Sequence, residues 1–373
     1  MMRVLHIHSG NLYGGVEAVL ITLARHRQAC LEMEPHFVLC FEGQLSKELR
    51  ASGTQIHILP GVRLSRPASV WYARRKFAEL LRQKHFDVVV CHSSWSQVIF
   101  GKLVRAASLP LVFWSHDAAT GVHWLERWAR CTPPDFAICN SKYTARALRT
   151  LYPKSPAKVI YCPVELPELS LYRMPELRSQ IRDEFDTPRD DIVIIQVSRM
   201  ESWKGHSLHL DALGLLKELP GWTCWFVGGA QRPGEIKYLK SIEAKAVRLG
   251  INGRVHFLGL RRDVPRLLVA SDIFCQPNIQ GEPFGIAFIE ALAAGLPVIT
   301  TKIGAAMEVI DESCGVLVPP FNPQALAIEL QKTIESSSLR AKLGSRGPQR
   351  AKDLCDVKLR LRDIHEILAG VSQ

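Results

Sequence analysis

The sequence predicts an α/β protein made of two doubly wound, Rossmann-like domains that face each other across a cleft. Three observations carry this. The chain has 373 residues, about two domains' worth at roughly 100–200 residues each. Short β-branched runs alternate with helix-patterned stretches, and the strands read as near-continuous apolar runs, as in parallel sheets covered on both faces. The alternation lapses once, over a proline-bearing stretch, and then restarts.

In the first half, strands are expected at 3–8, 36–41, 86–92, 109–115, 135–140 and 158–161. Helical stretches such as 16–27, 70–84 and 142–151 lie between them. From 163 to 191 there is no long apolar run, and Pro163, Pro167, Pro175 and Pro188 punctuate the chain. This reads as a hinge with a short helix near 176–185. Strands are then expected at 192–197, 223–227, 255–258, 273–276, 298–301 and 315–318. The expected domains are 1–165 and 191–355, joined by a linker at 166–190. A last helix, 357–370 within a tail of 356–373, is expected to cross back to the first domain.

Composition narrows the class. Hydrophobic residues make up 47% and charged residues 22%, the profile of a folded globular chain and not of a disordered, collagen-like or coiled-coil one. None of the ten cysteines forms a C-x-x-C pair, so buried free thiols in a reducing compartment are expected instead of a zinc ribbon. No signal peptide or membrane span is expected. Net charge is +11, of which +9 falls in 1–185 and +2 in 186–373. The first half therefore expects an anionic partner.

Three segments carry chemistry, and each follows a strand, where open α/β sheets bind ligands. Ser9-Gly10-Asn11-Leu12-Tyr13-Gly14-Gly15-Val16-Glu17 opens a helix, and its glycines let backbone N–H groups approach an anion. It is not G-x-G-x-x-G, which disfavours a dehydrogenase. In Ser198-Arg199-Met200-Glu201-Ser202-Trp203-Lys204-Gly205, the Arg199 fork and the Lys204 point charge could clamp one diphosphate. The plain alternative is a solvated loop with two scattered cations.

The third segment runs from Gln280 through Glu282, Pro283, Phe284, Gly285 and Ile286 to Glu290, Gly295 and Pro297. It predicts a Gly/Pro loop, a helix over 286–294 stopped at Gly295, and a buried strand. Glu290 is a lone carboxylate in an apolar helix, and burial would demand a partner. Helical rise puts Glu282 and Glu290 roughly 12 Å apart, beyond the ~5–9.5 Å carboxylate separations of glycosidases.

Two glutamates separated by seven residues, with Phe-Gly after the first and Ala-Gly-Leu-Pro-Val after the second, resemble the family-4, group 1 type glycosyltransferases. The Ser-Arg-x4-Lys-Gly loop, Phe257-Leu258-Gly259, Gly304 with Glu308, Gly14-Gly15-Val16-Glu17, Ser115-His116-Asp117 and Cys139-Asn140-Ser141 extend the resemblance over most of the chain. It implies the GT-B fold and retaining, metal-independent transfer from a nucleoside-diphosphate sugar. By resemblance, Arg199 and Lys204 hold the diphosphate, Gly14 and Gly15 approach it from the first domain, and Glu290 takes the ribose. Glu282 meets sugar hydroxyls, backbone at Phe284, Gly285 and Ile286 meets sugar and phosphate, and His116 lies near the transferred sugar. Phe257, Leu258 and Gly259 belong to the nucleobase pocket.

The chain departs from the family pattern at Gly304-Ala305, Pro277-Asn278 and Pro283, which bears on the sugar pocket more than on the reaction class. It has no Asp-x-Asp metal motif, so no cofactor or metal is expected. The family implies a glycan or lipid-linked acceptor in cell-surface polysaccharide or glycolipid synthesis, and a cytoplasmic enzyme.

The stretch 70–84 reads as an amphipathic basic helix, with Trp71, Phe77, Leu80 and Leu81 able to share one side and Arg74, Arg75, Arg82 and Lys84 elsewhere. Such a helix can rest on an anionic inner membrane face or simply pack on its own sheet. The rivals are a GT-B epimerase and a non-catalytic nucleotide- or nucleic-acid-binding protein. No nucleic-acid motif is present, so no nucleic-acid partner is expected.

Overall fold

A computed structural model describes residues 1–10, 14–166 and 175–372. The chain divides into two compact units, Met1–Glu165 with Cys355–Gln373, and Leu166–Leu354.

The first unit holds seven parallel strands: β1 (Met2–His8), β2 (Met33–Leu39), β3 (Gln55–Ile58), β4 (Val88–Cys91), β5 (Leu111–Ser115), β6 (Phe136–Cys139) and β7 (Ala157–Val159). Their order is β3-β2-β1-β4-β5-β6-β7. Strands β4 and β5 are buried along their whole length, as helices on both faces require. The order reverses between β1 and β4, which makes their carboxyl ends the switch point. Strand β3 was not expected from sequence. Its Gln-Ile-His-Ile run is polar at alternate positions and lies at the sheet edge, only half-buried, so it lacks the apolar run that betrays an inner strand. Strand β2 begins three residues earlier than expected, at Met33.

The helix Pro67–Gln83 buries Ala73 and Phe77, and the Phe77 ring lies 4.8 Å from that of Phe100. Trp71 does not share that side, contrary to the sequence expectation. Six residues of helix turn it about 240° from Phe77, and it stands 62% exposed.

The helix Val357–Ser372 buries Leu361, Ile364, Ile367 and Leu368 within the first unit, and Val164 N–H donates to the Cys355 carbonyl at 3.3 Å. All ten cysteines are free thiols, and every one except Cys131 is buried.

The second unit holds six parallel strands: β8 (Ile192–Val197), β9 (Trp222–Val227), β10 (Val255–Gly259), β11 (Ile273–Gln276), β12 (Val298–Thr301) and β13 (Gly315–Val318). The order β10-β9-β8-β11-β12-β13 puts its switch point between β8 and β11. The stretch read as a linker, 166–190, needs correction. Residues 167–174 lie outside the described residues, but the helix Pro175–Glu184 is part of the second unit. Arg178 and Arg182 both reach the Asp272 carboxylate, at 2.5 and 2.6 Å. Asp272 also accepts the Val193 N–H at 2.8 Å, tying the helix to the root of β8. The helix itself was expected near 176–185; anchored by two arginines, it gives little apolar signal that it belongs to the second unit and not to a hinge.

Candidate functional site

Two polar clusters stand at the two switch points. In the second unit, the loop after β8 and the loop after β11 diverge and meet again through their side chains. Lys204 Nζ lies 2.6 Å from Glu282 Oε2. The same oxygen accepts from Asn278 Nδ2 at 3.0 Å and Gln276 Nε2 at 3.3 Å. Among the described residues every side-chain hydrogen bond to Glu282 falls on Oε2, which leaves Oε1 without one. Lys204 also sits 3.9 Å from the centre of the Trp203 ring, a cation–π geometry.

Backbone shape allows this approach. Gly205 has φ +76°, and a Cβ there would fall inside the Pro277 carbonyl. Gly304, at φ +67°, lies so close to the Glu282 backbone that a Cβ would collide with it, and Ala305 N–H donates to the Glu282 carbonyl at 2.8 Å. Glycine is needed at both positions.

Arg199 is half-buried and held by acids. Its guanidinium lies 2.9 Å from Glu201 and 3.6 Å from Glu235, and Trp203 Nε1 also donates to Glu201 at 3.0 Å. The two cations of the loop are thus near the switch point but engage separate carboxylates. Sequence reading missed Glu201, Glu235, Gln276 and Asn278; for Glu201, Gln276 and Asn278 the signal was a polar residue shortly past, or at the end of, a buried strand, whereas Glu235 lies in the first turn of the helix Pro233–Leu249.

The helix Ile286–Ala293 follows the Glu282 loop and agrees with the expected 286–294 to one residue. Gly285 precedes it at φ +92° with no side-chain cap, so the amides of Ile286 and Ala287 open the helix without partners from a cap. The Phe284 side chain is buried. Because Glu282 lies before the helix, helical rise does not measure its separation from Glu290. Glu290 is partly buried, and among the described residues its carboxylate has no hydrogen-bond partner. Burial pushes its pKa up to about 7, because desolvation disfavours the charged form. Phe257, Leu258 and Gly259 end the edge strand β10, where the register slips between Phe257 and Gly259. The Phe257 ring lies 5.3 Å from that of Phe226.

In the first unit, Gly14 and Gly15 open the helix Gly15–Arg25; Asn11, Leu12 and Tyr13 of that loop lie outside the described residues. The strained glycine here is Gly10, at φ +84°, packed on the Phe41 carbonyl. His8 Nε2 lies 3.5 Å from Glu17. His116 follows β5 and is buried. Its Nε2 is 2.9 Å from His92 Nδ1, and His92 Nε2 is 2.9 Å from His6 Nδ1. Burial drives His6 and His116 down to about 3 and His8 to about 4, so all three are neutral at physiological pH. The Asn140 amide donates to the His116 carbonyl at 3.4 Å and accepts from Thr144 at 2.9 Å; the capping box of Ser141 and Thr144 fixes that turn. His116 and His92 line a cavity of about 210 Å³ with Ser93, Ser115, Asp117 and Glu126.

A second cavity in this unit, about 510 Å³, lies beside the basic helix, between Trp71, Arg74, Arg75, Leu103 and Trp128. Trp71, Tyr72, Trp124 and Trp128 are all exposed. Among the described residues no helix is long and apolar enough to cross a membrane, and no three His, Cys, Asp or Glu side chains are grouped to hold a metal.

Two parallel-sheet units with polar clusters at their switch points define a doubly wound α/β class, and comparison with known proteins specifies the family. The model of glycosyl transferases group 1 matches residues 178–350, and that of glycosyltransferase family 4 matches 13–168. Together these span most of the chain, which belongs to the group 1 glycosyltransferases of GT-B fold. The lipopolysaccharide glucosyltransferase WaaG of Escherichia coli K12 is 34% identical over 171 residues, 45% of this chain and 44% of that protein. The lipopolysaccharide core biosynthesis glycosyltransferase LpsE of Rhizobium meliloti is 29% identical over 167 residues, 44% of this chain and 46% of that protein. The chain spans about half the length of these two curated relatives. The crystal structure of Anabaena Alr3699/HepE in complex with UDP-glucose matches with a TM-score of 0.87 and 26% identity, covering 99% of this chain and 100% of that one.

Proposed function

We propose that the protein is a retaining, metal-independent glycosyltransferase that moves a hexose from a nucleoside-diphosphate sugar to a glycan or lipid-linked acceptor, in cell-surface polysaccharide or glycolipid synthesis. The observation that carries this is the Lys204–Glu282 pair at the switch point of the second unit, 2.6 Å long, with Glu290 on the next helix and without a hydrogen-bond partner among the described residues. HepE, crystallised with UDP-glucose, and the lipopolysaccharide enzymes WaaG and LpsE support the donor class and the pathway class.

In this reading Glu290 accepts ribose hydroxyls and Glu282 Oε1 takes a sugar hydroxyl. The leaving diphosphate gains charge in the transition state. Lys204, Arg199 and the opening amides of the Ile286–Ala293 helix stabilise that charge as fixed donors, the role a metal fills elsewhere. The acceptor attacks on the face the diphosphate leaves, and a diphosphate oxygen takes the acceptor proton. No protein nucleophile is invoked. His116 contacts sugar without serving as the base.

The first unit supplies the acceptor side. Its exposed Trp71, Tyr72, Trp124 and Trp128 beside Arg74 and Arg75 support peripheral seating on an anionic inner membrane face, with the enzyme cytoplasmic.

The test is a thermal-shift panel of UDP, GDP, ADP and their hexose conjugates, followed by NMR of the product anomer. Stabilisation by one nucleotide series and a product of donor configuration are expected. No nucleotide series stabilising the protein, or an inverted anomer, would refute the reading.

A further inference from the structure

The three histidines His6, His92 and His116 form one hydrogen-bonded row across β1, β4 and β5. Both N···N distances are 2.9 Å, and both ring-centre separations are 5.2 Å, the spacing of rings meeting edge to edge. The row is walled by Phe37 and Trp114, both fully buried. Burial holds all three imidazoles neutral: His6 and His116 fall to about 3, and His92 is pushed well below its ordinary value.

A neutral imidazole carries one N–H, so the row has only two consistent proton patterns. In one, His6 Nδ1–H donates to His92 Nε2, His92 Nδ1–H donates to His116 Nε2, and His116 bears its proton on Nδ1. In the other every bond is reversed, and His116 Nδ1 is a bare lone pair. The far end decides between them. His6 Nε2 is buried without a partner. The first pattern strands a lone pair there, and the second strands an N–H. Orphaned buried N–H groups are the rarer case. The Phe37 ring lies within 24° of the His6 plane, so it presents no face to an in-plane N–H.

We propose that His92 and His6 are positioning residues that lock His116 as the Nδ1–H tautomer, so that it offers a hydrogen-bond donor to a sugar hydroxyl in the cavity it lines. The assignment rests on the proposed glycosyl transfer for its ligand, but the tautomer is independent of it. His116 Nδ1 has no partner among the described residues, and Nε2 is committed to His92. A hydroxyl there is oriented as an acceptor from His116, its own proton directed elsewhere. The row thereby excludes His116 as general base.

The test is ¹⁵N NMR of histidine-labelled protein, with His116 assigned through His116→Gln. Wild type is expected to show His116 protonated at Nδ1. His92→Asn, whose amide N–H takes the place of Nδ1–H, is expected to keep that tautomer. His92→Asp, whose carboxylate oxygen accepts in the place of Nδ1, is expected to turn His116 to Nε2–H and to lower kcat at least tenfold below His92→Asn, with donor KM within twofold. Nε2–H at His116 in wild type would overturn the proposal, whether or not the protein transfers sugar and whether or not His92→Asp folds. Nδ1–H persisting in folded His92→Asp would overturn it too.

Discussion

Replacing Lys204 with methionine keeps the stem and removes the charge that meets Glu282. The pair is 2.6 Å long with both side chains largely buried, and removing one partner of a buried pair costs about 3–5 kcal/mol. Asn278 and Gln276 still donate to Glu282, which favours the low end, about 3 kcal/mol. Glu282→Gln strands the ammonium and should cost about the same. The double variant leaves neither charge unpaired and should cost about 4 kcal/mol, giving a coupling of about 2 kcal/mol. With an m-value of about 2 kcal/mol/M, each single variant lowers the urea midpoint by about 1.5 M, and the double by about 2 M rather than 3 M. Each single variant should also lower transfer by about 10²-fold or more, the usual loss for one fixed transition-state donor. Additivity of the two substitutions within 0.5 kcal/mol would refute the pairing, and wild-type turnover in both would refute the site.

Gly205→Ala should lower stability by about 2 kcal/mol or more and weaken nucleotide binding in calorimetry, since the Cβ has no room against Pro277 and φ is positive. Nucleotide affinity should rise with pH through about 7, by up to tenfold per unit on the acid side, because the proposed ribose contact needs Glu290 as the carboxylate and burial holds its pKa near 7; Glu290→Gln should flatten the titration. Acid should destabilise the first unit. His6, His8 and His116 titrate lower in the fold than in the open chain, so their contribution is full above about pH 6.5 and is lost as pH falls toward 3, at up to about 1.4 kcal/mol per group per pH unit; urea midpoints at pH 7, 6 and 5 measure it. Co-flotation with anionic liposomes at low salt should weaken in Trp71→Ser with Arg74→Ser and Arg75→Ser; no co-flotation of the wild type would remove the membrane seating.

The second unit was the more legible in sequence. Strands β8, β11, β12 and β13 lie at the expected residues, because buried parallel strands are short apolar runs bounded by turns. The polar edge strand β3 was not, since it lacks an apolar run; the helix Pro175–Glu184 was expected near 176–185, but its place in the second unit was not, since its anchors are two arginines. The site followed the same rule. Glu282, Glu290 and Lys204 stood out in the sequence as polar residues in or beside loops that follow strands, and His116 stood out only through the family resemblance. Their couplings did not, for Lys204 with Glu282 and His92 with His116 join residues 78 and 24 positions apart. Such pairs are decided by strand order, which no local pattern encodes.

The return of Cys355 onward to the first unit makes that unit discontinuous in the order of synthesis. Its seven strands leave the ribosome before the second unit, yet the helix that buries Leu361, Ile364 and Leu368 is made after it. At about 5–20 residues per second, the 166–354 stretch takes on the order of 10–40 s to synthesise. For that interval the surface destined for the final helix is open to other partners, while the second unit is translated as one continuous segment. The later-born unit can therefore be complete first.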